Sequence, residues 1–435
     1  MDRKNMESHV SSARGSKVGD SATLDKATQT VPGNPVEVLI WFAALMLRAG
    51  NTATRTREWI DLIAHKMGFD AVSVSLSLDS IVASVRRSGE WVTIMREVGP
   101  QTINVWRIGE LERLVRAAGP KTASAEIAAK LTEIECATPL YSRTQIAAAV
   151  GAASAGFAFI NGAATPEMMA AAIGGGMGQW LRMWFSRHQF GSAALSAIAA
   201  SGIYVLVAGL ASYAGMEFTR YPAGFIASVL FLVPGFPLVA GLFDLLQQQT
   251  VAAVGRLAIG IMLLLAVALG LSIVIAAAGV DLSRQPPLEL AYPVKLLLRA
   301  IASFIAGGAF AMLFNSSPRT ILAAGLLAFA ANSVRLALAD MGMMPAPAAF
   351  FAALLIGLVA VVADHRFNVP RLAMTVAPTV IMMPGVYAFE MIVLFNHGRM
   401  LDALQATAAC GFIVGALAMG LATARFFSRR QLHAL

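Results

Sequence analysis

Charged residues are scarce in this sequence. They make up 13% of the 435 residues, whereas hydrophobic residues make up 57%; soluble domains carry about 25% charged residues. The scarcity is uneven, because residues 1–142 hold 16 of the 25 acidic residues and the remaining 293 residues hold nine. This distribution excludes a wholly soluble protein and predicts a water-soluble segment followed by a segment suited to lipid.

Cysteine is nearly absent. Cys136 and Cys410 are the two cysteines of the chain, and they lie far apart in the sequence. Neither a disulfide framework nor a cysteine metal cluster is therefore expected. We predict no metal, no cofactor and no catalytic residue.

Residues 1–34 do not have the pattern expected of a secretory signal peptide. Residues 1–34 are rich in Ser, Lys, Gly and Thr and contain no apolar core of roughly 7–15 residues. We expect a disordered lead-in, followed by a domain that stays in the cytoplasm. The net charge of +8 does not indicate a nucleic-acid partner, because the later basic residues lie between apolar runs, as in cytoplasmic loops of membrane proteins.

Residues 35–142 have the pattern of a small soluble α+β domain. Helical spacing over 36–49 and 55–67 predicts two helices, and strict alternation over 72–78 predicts a strand. Two more strands and two more helices are predicted at 80–86, 91–98, 104–118 and 124–136. His65 lies one helical turn from Asp61, but no hydrolase, zinc or phosphate-loop motif accompanies the pair. A docking or regulatory domain is preferred to an enzyme.

Ten apolar runs, each long enough to cross a bilayer, follow this domain. They lie at 144–161, 166–185, 192–214, 221–243, 255–279, 293–314, 318–339, 345–363, 371–396 and 403–427. The predicted fold is an all-α polytopic membrane protein of about ten transmembrane helices, embedded in the cytoplasmic (inner) membrane. An even number of helices places both termini in the cytoplasm, in agreement with a modest excess of Arg in the inner loops.

An internal repeat divides the membrane segment. Residues 156–182 resemble residues 309–335, which pairs Asn161 with Asn315 and Arg182 with Arg335. Two five-helix units, 143–280 and 281–435, account for this pairing. Because five is odd, the second unit would enter the membrane from the opposite side, giving the inverted repeat found in many secondary transporters.

Each unit also contains a Pro-Gly pair inside one apolar run. Pro234-Gly235 interrupts the fourth run, and Pro384-Gly385 interrupts the ninth. Proline removes a helical hydrogen bond, and the freed backbone groups must find protein, water or ligand within the membrane. Corresponding interruptions in two halves indicate the substrate site of a transporter.

Ionisable residues inside the apolar runs are further site candidates, because burying charge in a membrane is costly. Asp244 and Glu390 follow the two Pro-Gly pairs, and we expect them to bind a substrate ammonium group or to carry a coupling proton. Arg182 and Arg335 would balance this charge or attract a carboxylate. Snorkelling of these side chains to water is the alternative, and it is the expected state of two other acids, Glu167 and Asp340.

Small residues four apart predict close helix packing. Gly174 and Gly178 have this spacing, as do Gly411 and Gly415.

Several stretches of the chain resemble the threonine/serine exporter family. They are LRAGNTATRTREWIDLIAHKMGF (47–69), INVWRIGELERLVRA (103–117), FLVPGFPLVAGLFDLL (231–246), NSSPRT (315–320) and MMPGVYAFE (382–390). The resemblance implies a proton-driven exporter of small hydroxy amino acids with a cytoplasmic N-terminal domain, and it assigns no site residues. Export of other small carboxylates and a membrane-bound hydrolase-like enzyme are the alternatives. The expected partners are the substrate, protons, the lipid bilayer and further copies of the chain.

Overall fold

The computed structural model describes residues 34–120, 122–185, 189–218, 221–279, 290–367 and 371–432. The predicted lead-in lies outside these residues except for Asn34. The Asn34 side chain accepts a hydrogen bond from the Val36 N–H and so caps the first helix.

The segment predicted to be soluble, which we call the soluble domain, is a helical layer on a three-stranded antiparallel sheet. Its elements are α1 (Pro35–Arg48), α2 (Ala53–Lys66), β1 (Ala71–Leu76), β2 (Ser80–Arg87), β3 (Glu90–Glu97), α3 (Val105–Ala117) and α4 (Ser124–Cys136), with strand order β1-β2-β3. Ser88 and Gly89 both have positive φ, the backbone of a two-residue hairpin turn. Helix α1 is apolar all round and almost fully buried, which explains a hydrophobic run too short to cross a bilayer. The predicted order of helices and strands is confirmed.

The described residues of the membrane part form twelve α-helices and a short 3-10 helix at Leu230–Leu232. The α-helices are α5 (Arg143–Ile160), α6 (Thr165–Trp184), α7 (Gln189–Tyr213), α8 (Tyr221–Val229), α9 (Gly235–Leu246), α10 (Thr250–Ala278), α11 (Tyr292–Leu313), α12 (Pro318–Asp340), α13 (Pro345–Phe367), α14 (Arg371–Val380), α15 (Gly385–Asn396) and α16 (Met400–Leu432). Within the described residues, six helices are long and apolar enough to cross a membrane, and the bent pairs α8/α9 and α14/α15 raise the number to eight. The chain is a multi-pass membrane protein, and ten spans remain a prediction.

The two halves of the membrane part share backbone details. Helices α9 and α15 have 12 residues each and begin at Gly235 and Gly385. The loops after α5 and α11 also match: the Gly162 N–H donates to the Phe159 carbonyl, and the Asn315 N–H donates to the Met312 carbonyl, each at 2.9 Å. Gly162 and Asn315 both have positive φ. Backbone geometry therefore pairs Asn315 with Gly162 rather than with Asn161, because Gly and Asn both tolerate this conformation.

Helices α5 and α11 pack against each other in opposite directions. Leu140 and Tyr141, just before α5, hydrogen-bond to Asn315 and Ser316, just after α11. Further along, a Cβ added to Gly156 of α5 would lie 3.1 Å from the carbonyl oxygen of Ala302 in α11. The start of α5 thus lies beside the end of α11.

Asn315 also joins the soluble domain to the membrane part. Its Oδ1 accepts from the Leu140 N–H at 2.8 Å, and its Nδ2 donates to Asn104 Oδ1 at 3.0 Å. The N–H groups of Val105 and Trp106 donate to the carbonyls of Phe314 and Asn315. The loop between α11 and α12 is therefore a docking point for helix α3.

We expect an Asn315→Gly substitution to loosen this docking, because glycine keeps the positive φ but removes both side-chain hydrogen bonds. At about 1 kcal/mol for each bond, local opening becomes roughly 30-fold more frequent. Hydrogen exchange at the amides of Leu140 and Val105 measures the opening. Asn161→Gly is the matched control, because the Asn161 side chain bonds within its own helix, at the Phe157 carbonyl. Equal exchange in the two variants would contradict the docking role.

Gly174 and Gly178 pack as the spacing predicts, but Gly411 and Gly415 do not. A Cβ at Gly174 would lie 2.6 Å from the Ala200 carbonyl oxygen, and one at Gly178 would lie 2.6 Å from the Ala200 Cβ. Among the described residues, no atom lies within 4 Å of a Cβ placed at Gly411 or Gly415. The packing prediction is wrong for this second pair, because these glycines do not face a neighbouring helix in the part of the chain that the structure describes.

Candidate functional site

A cavity lies between the soluble domain and the broken helices. Its volume is about 920 Å³, including the part open to solvent. The soluble domain, both halves of the membrane part and one of the two Pro-Gly pairs contribute to the wall. The lining residues include Asn51, Thr52, Arg55, Glu112, Gly235, Phe236, Arg371, Thr375, Val376, Thr379 and Arg425.

The two Pro-Gly pairs have the same broken backbone. Pro234 has φ −77° and ψ 59°, and Pro384 has φ −76° and ψ 53°. In each case the glycine N–H donates at 2.7 Å to the carbonyl two residues before it, which is an inverse γ-turn. The chain bends by 58° between α8 and α9 and by 41° between α14 and α15. The predicted helix interruptions are confirmed.

The two breaks also contact each other. A Cβ added to Gly235 would lie 2.8 Å from Met383 Cγ, and one added to Gly385 would lie 3.0 Å from Leu230 Cγ. Glycine at both positions therefore permits a close approach between the fourth and ninth runs. Gly235 lines the cavity at this crossing.

Helix α14 brings two hydroxyl groups to the cavity wall. Thr375 Oγ1 donates to the Arg371 carbonyl at 3.0 Å, and Thr379 Oγ1 donates to the Thr375 carbonyl at 2.6 Å. Because each hydroxyl proton goes to the helix backbone, each oxygen retains lone pairs that can accept a hydrogen bond from a ligand. Other side chains of the wall, such as Phe236 and Val376, are apolar.

Charged side chains surround the cavity where the soluble domain meets the membrane part. Arg425 of α16 bonds Glu58 of α2, and Arg55 lies 3.1 Å from Glu58 and 3.8 Å from Glu112. Arg116 continues the alternation at 3.6 Å from Glu112. We call these five residues the ionic rim. The ionic rim places both positive and negative side chains near the cavity, and these can attract the carboxylate and the ammonium group of a zwitterion.

Asp244 lies in a buried ion pair behind the cavity wall. Its Oδ2 is 3.2 Å from Nε of Arg256, with side chains 0% and 3% exposed. Arg256 Nη2 donates to the Asn51 carbonyl at 2.6 Å, and Asn51 lines the cavity. Asp244 is therefore linked to the cavity through two residues. Arg256 is not among the site residues predicted from the sequence.

The other predicted residues do not line this cavity within the part of the chain that the structure describes. Glu390 is partly exposed on α15, and Arg335 Nε donates to Asn332 Oδ1 at 2.8 Å. Arg182 and Asn161 lie at the ends of α6 and α5. The structure thus brings Gly235 and Asp244 to the cavity region and leaves these four residues elsewhere.

Glu167 differs from the sequence expectation. Its place near the end of an apolar run predicts contact with water, yet its exposed fraction is 0%. The buried Tyr204 lies nearby, since a Cβ at Gly224 would meet both Tyr204 Oη and Glu167 Cβ within 3 Å. Other helices pack over this end of α6 and exclude water from it. The hydropathy of one apolar run does not show which other helices pack against its ends. Asp340, by contrast, is partly exposed and pairs with Arg299 at 3.1 Å.

The possible catalytic pair of the soluble domain is on its surface. Asp61 and His65 are both exposed on α2. The pKa of the Asp61 carboxyl is raised above its ordinary value, because the effect of partial burial exceeds the opposite effect of Arg57. Neither residue lines the cavity. The described residues contain no group of three or more His, Cys, Asp or Glu placed to hold a metal ion.

Comparisons with known proteins cover most of the chain. The family model described as "Putative threonine/serine exporter" matches residues 37–278, and the one described as "Threonine/Serine exporter, ThrE" matches residues 299–427. An uncharacterized protein of Haemophilus influenzae is 31% identical over 148 residues, which are 32% of this chain and 50% of that protein. The chain thus spans about half the length of this curated relative. No solved structure matches.

Proposed function

Because the chain belongs to the threonine/serine exporter family, we propose that it exports small amino acids such as threonine and serine across the cytoplasmic membrane in exchange for protons. The observation that carries this proposal is the cavity at the crossing of two broken helices, capped by the soluble domain. Broken helices near the middle of a membrane are a recurrent design of substrate sites in secondary transporters.

The chemistry of the wall suits a small hydroxy amino acid. Arg371 can attract a carboxylate, and Glu112 can attract an ammonium group. The Thr375 and Thr379 oxygens can accept a hydrogen bond from the substrate hydroxyl. The apolar side chains between them leave little for a large polar substrate to bind.

Two inverted five-helix units, 143–280 and 281–435, form the transport machinery in this proposal, after a cytoplasmic domain at 35–142. The antiparallel packing of α5 on α11 supports the inversion, because these are the first helices of the two units. The matching γ-turns at Pro234 and Pro384 support the repeat of one unit in the other. Exchange of the two units between equivalent arrangements would expose the cavity alternately to each side of the membrane.

Inversion predicts opposite sidedness for corresponding loops. Gln248 follows α9 and His397 follows α15, and both are exposed. In a background with both native cysteines replaced by serine, a membrane-impermeant maleimide added to intact cells should label His397→Cys. It should label Gln248→Cys only after permeabilisation. Labelling of both variants from the same side would rule out the inverted arrangement.

Asp244 and Glu390 are the proposed carriers of the coupling proton. Asp244 is buried and tied to the cavity wall through Arg256. Protonation would neutralise the carboxylate and weaken its hold on Arg256, which in turn holds Asn51 of the soluble domain. This connection offers a route from proton binding to the cavity. Glu390 follows the second break and is the second candidate.

Efflux from cells loaded with a threonine-containing dipeptide tests the proposed function. Threonine should leave faster from cells that make the protein than from cells that lack it. An uncoupler should reduce this difference in efflux rate. Internal serine should compete with threonine. Efflux of an unrelated small carboxylate in place of threonine would instead support the alternative substrate class. Equal threonine efflux with and without the protein would reject the proposal.

A further inference from the structure

Asn51 is a polar residue of the soluble domain that forms part of the cavity wall. It lies between α1 and α2 and is 1% exposed. Three of its polar groups have partners: its N–H donates to the Met46 carbonyl, its carbonyl accepts from Arg256, and its Oδ1 accepts from the Thr52 N–H. Among the described residues, its Nδ2 has no hydrogen-bond partner.

A buried amide donor without a partner costs free energy and calls for an explanation. The Thr52 N–H fixes the orientation of the side chain by bonding Oδ1 at 3.0 Å, so the amide cannot turn over to give Nδ2 another partner without breaking that bond. Arg256 holds the backbone carbonyl at 2.6 Å. The donor is therefore kept in place while it remains unused.

The N-terminus of α9 lines the same cavity through Gly235 and Phe236. Helix α9 has 12 residues, and a helix of this length carries partial positive charge at its N-terminus. The Gly235 N–H is used in the γ-turn and Pro237 has no N–H, so the Phe236 N–H is the donor that the first turn can offer a ligand. No acidic residue lies in its first turn. The cavity wall therefore has two independent features, one from the soluble domain and one from helix α9, that favour an anionic hydrogen-bond acceptor.

We propose that Asn51 Nδ2 and the N-terminus of α9 together bind the carboxylate of the transported amino acid. This inference rests on the proposed export function and deepens it. The soluble domain then contributes a residue to the substrate site, so that the membrane helices alone form an incomplete site. It also connects the carboxylate to the Asp244–Arg256 pair, because Arg256 holds Asn51 from behind.

The test is threonine exchange by the full-length protein in proteoliposomes, comparing KM and maximal rate. Asn51→Leu removes the donor at nearly constant size, and Asn51→Asp keeps an acceptor for the Thr52 N–H but repels a carboxylate. A hydrogen bond to a charged group is strong enough that its loss should raise KM by about 10- to 100-fold. The maximal rate should change by less than about threefold. If the leucine variant does not fold, the aspartate variant decides the question.

Threoninol lacks the carboxylate and serves as a second probe. The concentration of threoninol that inhibits exchange should be nearly the same for the wild-type protein and Asn51→Leu. Thr56→Val is the matched control, because the Thr56 hydroxyl is also buried without a partner among the described residues and does not line the cavity. Its KM should not change.

The two levels of failure can be told apart. If the wild-type protein exchanges no threonine, the proposed function fails. If the wild-type protein exchanges threonine and both Asn51 variants keep its KM, the function stands and the role of Asn51 is overturned. An equal loss of threonine and threoninol affinity would likewise overturn the assignment to the carboxylate.

Discussion

Replacement of Asp244 by asparagine should lower proton-driven threonine efflux by about 100-fold. The substitution leaves the guanidinium of Arg256 buried beside a neutral amide, and removing one partner of a buried ion pair costs about 3–5 kcal/mol. A cost of about 3 kcal/mol lowers the population of the intact, transport-competent arrangement by roughly 100-fold. The pair also supports Asn51 at the cavity wall, so the loss reaches the site itself. Efflux and the amount of folded protein in the membrane are measured together.

Asp340→Asn is the matched control for Asp244→Asn. Asp340 also pairs with an arginine, at 3.1 Å from Arg299, but its side chain is 28% exposed. Such a pair is worth about 1 kcal/mol or less, and efflux should fall by no more than about fivefold. Wild-type efflux in a normally expressed Asp244→Asn variant would contradict the role of the buried pair.

Threonine exchange without a proton gradient separates two roles of Asp244. A residue that only carries the coupling proton is dispensable for exchange, so Asp244→Asn should then retain it while losing gradient-driven efflux. A residue that only holds the cavity together should lose both in parallel. Glu390→Gln, measured in the same way, tests the second proposed proton carrier.

Alanine at Gly270 or Gly420 should destabilise the membrane part severely. A Cβ at Gly270 would lie 2.5 Å from the Ala194 carbonyl oxygen, and one at Gly420 would lie 2.5 Å from the Phe350 carbonyl oxygen. Because backbone rather than a flexible side chain obstructs the new atom, helices α7 and α10, or α13 and α16, must separate. Overpacking of this kind costs about 1–3 kcal/mol or more. The melting temperature and the yield of monodisperse protein in detergent should both fall.

Gly411→Ala and Gly415→Ala are the matched controls on the same helix as Gly420. No described atom lies within 4 Å of either added Cβ, and alanine favours a helix over glycine by about 1 kcal/mol. These variants should melt at or above the wild-type temperature. Similar melting of all four variants would contradict the packing of α10 and α16. Equal effects at Gly270 and Gly420, which lie 150 residues apart like the two Pro-Gly pairs, would support the repeat.

The helices, the hairpin and both breaks were predictable because local sequence encodes them. Apolar periodicity defines helices and strands, and the turn at Ser88-Gly89 has the residues that its backbone requires. A Pro-Gly pair inside an apolar run interrupts a helix whatever surrounds it. These features depend on neighbours a few residues away, and one sequence is enough to read them.

The site itself depends on contacts that local patterns do not report. The ionic rim joins residues of α2, α3 and α16, which are separated by up to 367 positions in the sequence. The burial of Glu167 depends on helices packed over its end, and the pairing of Asn315 with Gly162 depends on backbone conformation rather than on identity. One local pattern did point to the soluble-domain side of the cavity. It is the polar segment 51–58, which follows the apolar helix α1 and includes the start of α2.

Protection of one cavity residue by substrate tests the central claim most directly. Thr379 lies on the wall contributed by α14, one residue before this helix ends at the second break. A Thr379→Cys variant that retains transport, in a background without the native cysteines, should react with a maleimide reagent from the cytoplasmic side. Saturating threonine or serine should slow this reaction at least fivefold, whereas an amino acid that is not transported should leave it unchanged. An unchanged reaction rate in saturating threonine, with transport intact, would contradict a substrate site at the crossing of the two broken helices.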